Sequence, residues 1–369
     1  MVTPQQHRAA WRTQDERTAS KPSCLSFSHY KSASSNPFLN KVDTHLQNIL
    51  LDIGFSPLAW QTITDGKSLK NPNEFWVDKM RLIQLMTAEF QICNKNLGWL
   101  SLAHSEQAGA ISADQHGSQK HHQAIETCLN KKLLCDVSRQ QHWALAFAMN
   151  DAKGCYNHIS HSFAVLTLMS FGLACLLAVV LFVTLQRIST SFGRSEAVYG
   201  DEPVPLSGVG QGNGIGPSLW ALISSTKILD AMRHAGHSVT LRSSLSGSPL
   251  CLVGLGFVDD TDPVTSAPSV SCSAESLILS FQRSLDQWSS CLGATGSELA
   301  PEKSFCYLID YVWTGTSWDY RCLPDIPGDI TLTDKHGTCF PLCRFEVSHA
   351  KKTLGVFISM DGNESAEFD

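Results

Sequence analysis

The stretch Cys251-Leu252-Val253-Gly254-Leu255-Gly256-Phe257-Val258-Asp259-Asp260 decides the reading of this chain: eight residues without a charge run into two adjacent carboxylates. A short, continuous apolar run of this length reads as a buried strand. Acids at its tip suit a strand that delivers oxygen ligands to a divalent cation. The other reading of the pair is a solvated turn leading into Thr261-Asp262-Pro263. A second acid stands in a similar setting upstream, where Trp143-Ala144-Leu145-Ala146-Phe147-Ala148-Met149-Asn150-Asp151 is also an apolar segment that stops on an aspartate. Between the two lies Gly208-Val209-Gly210-Gln211-Gly212-Asn213-Gly214, a glycine-dense loop. Glycine tolerates positive φ and lets backbone approach a ligand closely. A helix is predicted after it, with Pro217 in its first turn and Trp220, Ile223 and Leu229 along its length.

Acid, glycine-rich loop and acid pair, in that order, resemble motifs A, B and C of a reverse transcriptase palm. The resemblance extends along the chain. Asp151-Ala152-Lys153-Gly154-Cys155-Tyr156-Asn157-His158-Ile159 is similar to motif A of retrotransposon-type enzymes, with Asn157 where many relatives carry an acid. Gly296-Ser297-Glu298-Leu299-Ala300-Pro301-Glu302-Lys303-Ser304 resembles motif D, and Thr353-Leu354-Gly355-Val356-Phe357-Ile358 resembles motif E, the primer-gripping hairpin. Upstream, Trp76-Val77-Asp78-Lys79-Met80-Arg81-Leu82-Ile83 looks like the fingers segment that reaches the triphosphate. Gln115-His116-Gly117-Ser118-Gln119-Lys120 is similar to the next fingers motif, which contacts the template, with Gln119 where relatives often carry arginine. Within the family, the phrases around Asp151, Gln211 and Asp259 look like those of retroelement reading frames of algae and other protists.

The resemblance implies a chemistry and a set of roles. In-line displacement at phosphorus is served by two divalent ions about 3.5–4 Å apart, and magnesium takes a few hard carboxylate oxygens. Asp151 and Asp259 would bridge two Mg2+ ions, or Mn2+ in their place, with Asp260 as an adjacent, weaker ligand. Tyr156 would stack under the incoming sugar and exclude a 2′-hydroxyl, which favours dNTPs; RNA-templated RNA polymerases usually place an acid there. Gln211 and Gly212 would hold the nucleotide, and Arg81 and Lys79 its phosphates, arginine as a planar fork. Lys303 would approach the leaving pyrophosphate as a general acid. The implied partners are an RNA template with a DNA primer and dNTPs.

The expected fold is α/β: a polymerase palm and fingers, with an antiparallel sheet backed by helices in a split βαβ arrangement. Residues 1–37, rich in Ser, Gln, Arg and Lys, are predicted to be disordered, with fingers over 38–135 and a palm over 136–358. The sequence stops at Asp369, soon after motif E, so residues 359–369 read as the start of a missing thumb. The alternative to an active polymerase is therefore an inactive, truncated retroelement remnant.

Bulk properties bound the rest. The chain has 369 residues, 43% of them hydrophobic, and a net charge of −6. That is enough apolar material for a large core and two subdomains. It is an unusual balance for a protein that binds phosphate chains, since such binding is electrostatic. The stretch from Lys120 to Lys132, with its histidines and Lys131, is the candidate basic surface. Thirteen cysteines without a Cys-x-x-Cys pair read as reduced thiols of a cytoplasmic or nuclear protein. Cys339 and Cys343 with His336 have poor zinc spacing. Residues 163–185 carry no charge. Their length permits a membrane span, but a span would separate Asp151 from Asp259. Helices between motifs A and B, broken near Ser170-Phe171-Gly172, are the preferred reading. No stable membrane association is expected, and no secretion signal is visible at the N-terminus.

Overall fold

Leu145, Ala146, Phe147, Ala148 and Met149 are five consecutive apolar residues, all buried, and they form the central strand of the largest sheet. A strand with neighbours on both edges and layers on both faces needs apolar side chains at every position rather than at alternate ones. The structure is a computed structural model that describes residues 1–18, 20, 25–54, 57–76, 80–153, 155–173, 185–190, 193–194, 208–210, 212–267, 274–334, 337–363 and 365–368. It is a mixed α/β protein with several small sheets. The chain divides into two compact units, one of Met1–Ala108 with Tyr156–Leu219, the other of Gly109–Cys155 with Trp220–Asp369.

The second unit holds the five-stranded sheet. Its strands lie in the order Cys343–Phe345, Phe305–Ile309, Leu145–Met149, Asp260–Ser266, Gly254–Phe257. All neighbours are antiparallel except the outermost Cys343–Phe345, which runs parallel to Phe305–Ile309. Numbered along the chain, the other four strands stand in the spatial order 4-1-3-2. Leu277, Phe281, Leu285, Trp288 and Leu292 recur at helical spacing, and they form the buried stripe of the helix Ala274–Ala294. It packs on the strand Asp260–Ser266, and the helix Ala124–Gln141 packs beside Gly254–Phe257. Phe147, Leu255, Val264, Tyr307 and Ile309 share one core cluster with Cys128 and Leu134 of that helix. Each such side chain, fully buried, contributes roughly 1.5–3 kcal/mol of transfer free energy. A short hairpin of Lys351–Thr353 and Val356–Ile358 lies where motif E was expected.

The first unit corrects one expectation. Residues 1–37 contain two helices, Pro4–Arg12 and Phe27–Ser35, instead of a disordered tail. Thr3 accepts from the Gln6 N–H at 3.2 Å while Gln6 Oε1 accepts from the Thr3 N–H at 2.8 Å, closing a capping box. The few apolar side chains are placed to meet: Trp11 stacks on Tyr30 at 5.0 Å and packs with Phe27 against Ala88 and Ile92. Mean composition hides such concentration.

The next helix, Pro37–Ile53, is inverted. It buries Asn40, Thr44 and Gln47, whereas Leu39, Val42, Leu46, Ile49 and Ile53 are exposed. The inward polar face is bonded: His7 Nδ1 donates to Asn40 Oδ1 at 2.8 Å, and Asn40 Nδ2 donates to the Pro4 carbonyl at 2.9 Å. Thr62–Leu69 pairs antiparallel with Met80–Leu85 and parallel with Leu185–Thr190. The uncharged stretch begins as the helix His161–Ser170, which ends at Phe171, with Gly172 at φ 86°. This is the break expected there; residues 174–184 lie outside the described residues. Among the described residues, no helix is long and apolar enough to cross a membrane.

Candidate active site

The acid pair sits on a hairpin. Gly254–Phe257 and Asp260–Ser266 are antiparallel, and Phe257 pairs with Asp260, so Val258 and Asp259 form a two-residue connection. Asp151 follows the neighbouring strand. The bridge between Asn150 and Thr261 continues the ladder of Phe147 with Val264. One step further, the same register brings Asp151 level with Asp260. Two apolar strands that each stop on an acid thus end at the same edge of one sheet.

The motif D segment lies alongside. Glu298–Leu299 pairs antiparallel with Ala152–Lys153, and the Ala300 N–H donates to the Asp151 carbonyl at 2.9 Å. Pro301–Lys303 then makes a single 3-10 turn that sets Lys303 Nζ 3.2 Å from Asp151 Oδ2. The structure therefore brings together four of the sequence-predicted site residues: Asp151, Asp259, Asp260 and Lys303.

Their electrostatics follow from crowding. Partial burial raises the Asp259 carboxyl above its usual range, and the charge of Asp151 adds to the effect, against one backbone hydrogen bond that lowers it. Asp260 is pushed up to about 6, first by desolvation, then by Asp259, Asp262 and Asp151; Lys131 opposes the shift. Cys155 is raised well above the ordinary thiol value by burial and by the same three acids, Asp259, Asp260 and Asp151. Three carboxylates that repel one another are, in kind and charge, the donor set a hard divalent cation takes. They are not closed into a coordination sphere as they stand. Asp151 Oδ2 is engaged by Lys303, and among the described residues no three His, Cys, Asp or Glu side chains form a set that could hold a metal.

The remaining predicted residues belong to the first unit. Tyr156 and the glycine loop line one cavity of about 460 Å³, together with Lys95, Asn213, Gly216 and Pro217. That is within the range of small-molecule sites. The loop is pinned: Asn213 Oδ1 accepts from Asn94 Nδ2 at 2.9 Å and from the Ile215 N–H at 3.2 Å. Gly212 has φ 114°, and a Cβ there would stand 2.9 Å from the Gln84 carbonyl oxygen, so only glycine fits. Pro217 opens the helix Gly216–Ile223 as expected. Burial lowers the pKa of Lys95 in the cavity wall. Arg81 is exposed on the strand Met80–Leu85, opposite Ser68. Lys79 and Gln211 lie outside the described residues.

One expectation fails and several residues were missed. Lys131, expected to belong to a basic surface, is fully buried and ion-paired with Asp262 at 2.5 Å, its Nζ also 3.3 Å from Met149 Sδ. It faces inward because it lies on the buried side of Ala124–Gln141, beside Thr127, Leu134 and Ser138. Asp262 is thereby a structural acid, distinct from its neighbours two and three positions earlier. Gln115 is also fully buried and reaches the acid-bearing hairpin. Asp114, beside it, is buried and bonded to Arg233 at 2.7 Å. Nothing local in the sequence marks these partners, which are more than a hundred positions apart. No protein-family model matches the chain, and no curated protein matches it.

Proposed function

We propose that this chain is the polymerase core of a retroelement, an RNA-directed DNA polymerase that adds dNTPs to a primer. One observation carries the reading: Asp151 and the Asp259–Asp260 pair end adjacent antiparallel strands at one edge of a sheet whose order is 4-1-3-2. That order, strand, hairpin and strand with helices between, is a split βαβ arrangement, which supports the palm reading. The motif order along the sequence supports it independently.

In this reading Asp151, Asp259 and Asp260 hold two Mg2+ ions, which when bound polarise the reacting phosphate and lower the pKa of the attacking hydroxyl. The acids' raised pKa values and mutual repulsion are relieved when a cation is shared among them. Lys303, whose Nζ lies 3.2 Å from Asp151 Oδ2, is the residue assigned as general acid toward the leaving oxygen. Tyr156, in the wall of the cavity lined by Gly210 and Gly212, limits the sugar to one without a 2′-hydroxyl. Arg81, Lys79 and Gln211 bind the remainder of the nucleotide.

Primer extension on poly(rA)/oligo(dT) with Mg2+ and dTTP tests the proposal. Wild type is expected to extend. Asp259→Asn, nearly isosteric and lacking one ligand charge, is expected to lose activity by about a hundredfold or more, as removal of a key electrostatic group does. Equal extension by both proteins would refute the metal assignment. Silence from both would favour the inactive remnant.

A further inference from the structure

The turn that carries Asp259 is built from unsuitable residues. In a two-residue hairpin the first central position with positive φ calls for glycine. Here it is Val258, at φ 59°. A β-branched residue in the left-handed region is a genuine outlier, and such backbone persists only where its surroundings over-determine it.

Those surroundings are one side chain and one short segment. Gln115 is fully buried, and its carboxamide makes four hydrogen bonds. Gln115 Oε1 accepts from the Val258 N–H at 3.0 Å and from the Gly117 N–H at 2.9 Å. Gln115 Nε2 donates to the Val258 carbonyl at 3.0 Å and to Ser224 Oγ at 2.9 Å. A carboxamide has two donors and one oxygen with two lone pairs, so this group is saturated. Both backbone polar groups of Val258 end on one side chain. The segment itself lies along the hairpin edge: Gly256 N–H donates to the Asp114 carbonyl at 2.7 Å, and His116 N–H donates to the Gly256 carbonyl at 2.9 Å. A Cβ on Gly117 would fall 1.9 Å from the Val258 nitrogen, so the contact tolerates glycine alone.

We infer that Gln115 is the positioning residue of this site: its carboxamide holds Val258 in the left-handed conformation and thereby aims Asp259. Only the metal readout below rests on the polymerase reading; the hold on the turn does not. The test compares wild type, Gln115→Met, Val258→Gly and the double variant in the full-length chain. Methionine keeps the volume and removes all four bonds. Glycine adopts positive φ unaided, so Val258→Gly should make the clamp dispensable.

Hydrogen exchange of the peptide spanning residues 254–262 is expected to be about tenfold or more faster in Gln115→Met. Mn2+ affinity, read by the electron paramagnetic resonance of free Mn2+, is expected to fall about tenfold, the usual cost of losing an outer-shell partner. Adding Val258→Gly should restore Mn2+ affinity to that of Val258→Gly alone, which simple loss of packing at Gln115 would not allow. Unchanged exchange in Gln115→Met, or no rescue by glycine, would overturn the inference. Absence of Mn2+ binding in wild type would overturn the metal reading instead, and the exchange data would still decide the role of Gln115.

Discussion

Asp260 ties the acid cluster to pH. Its folded-state pKa is raised from 3.8 to about 6 by desolvation and neighbouring acids. Between those values the folded protein keeps a proton that the unfolded chain releases, so this group's contribution to stability falls as pH rises through the window. Above about pH 6 the full repulsion is present. Asp260→Asn should therefore flatten the dependence of Tm on pH between 4 and 7 and raise Tm at pH 7 relative to wild type. The comparison must be between the two proteins, because burial raises Asp65 and Asp114 to about 6 as well. On the proposed metal reading Mg2+ would bind the ionised form, so its stabilisation of wild type should grow with pH through the same range. A Tm difference independent of pH would show that Asp260 is not strained by its neighbours. Asp259 and Asp260 were legible as a tip of two acids. The roles of the carboxamide and the ammonium that organise them were not: Gln115 was expected to face a template and Lys131 a phosphate surface, whereas both are buried and bonded to residues more than a hundred positions away.

At the scale of elements, the helix Ala274–Ala294 has the clearest periodicity in the chain. Its stripe recurs at helical spacing, and the structure buries each member. Phe281 is fully buried on a helix that packs against the strand Asp260–Ser266, and Phe281→Ala should cost about 3–5 kcal/mol by transfer and cavity terms together. Leu279, two positions away, is 61% exposed, and Leu279→Ala should stay within about 0.5 kcal/mol. Denaturant midpoints at equal m-values distinguish the two. The apolar run Leu145–Met149 forms one strand as expected, whereas the run over residues 251–258 breaks at Val253, its start belonging to Pro249–Leu252 in a hairpin with Val239–Arg242 and its end to Gly254–Phe257 in the large sheet. The inverted helix Pro37–Ile53 shows where periodicity misleads: its apolar stripe is real, but the inward face is the polar one, because His7 and the first helix supply partners for Asn40 that no local pattern reveals. Composition failed for residues 1–37 for the same reason, since Trp11 finds Tyr30 and Ile92 only through tertiary packing.

For the whole molecule the net charge of −6 would govern how the proposed primer–template is held. Several cations are engaged internally rather than left for phosphate: Lys131 with Asp262, Arg233 with Asp114, Arg321 with Asp310, Lys303 with Asp151. Each phosphate neutralised contributes about 0.9 to the slope of log K against log salt. A primer–template should thus bind with a slope shallower than about −4, corresponding to some four contacts, in a fluorescence-anisotropy titration from low to moderate KCl. A slope near −10 would reveal a basic surface that the ion pairs conceal. The mixed α/β character and the approach of Asp151 to Asp259 and Asp260 could be read from sequence. The division into two units, each made of separate chain segments, could not, because contiguous motifs say nothing about which distant segment a strand joins.

The outward stripe of Leu39, Val42, Leu46, Ile49 and Ile53 has a practical consequence for handling the protein. These side chains add little to the folded core, yet they repeat at alternating spacings of three and four, which lays them in one continuous greasy seam. With only modest like-charge repulsion to keep molecules apart, such a seam is the first part of the surface to clump as solutions are concentrated. Shelf life and crystallisability will be governed there, far along the chain from the acids that motivate interest in the molecule.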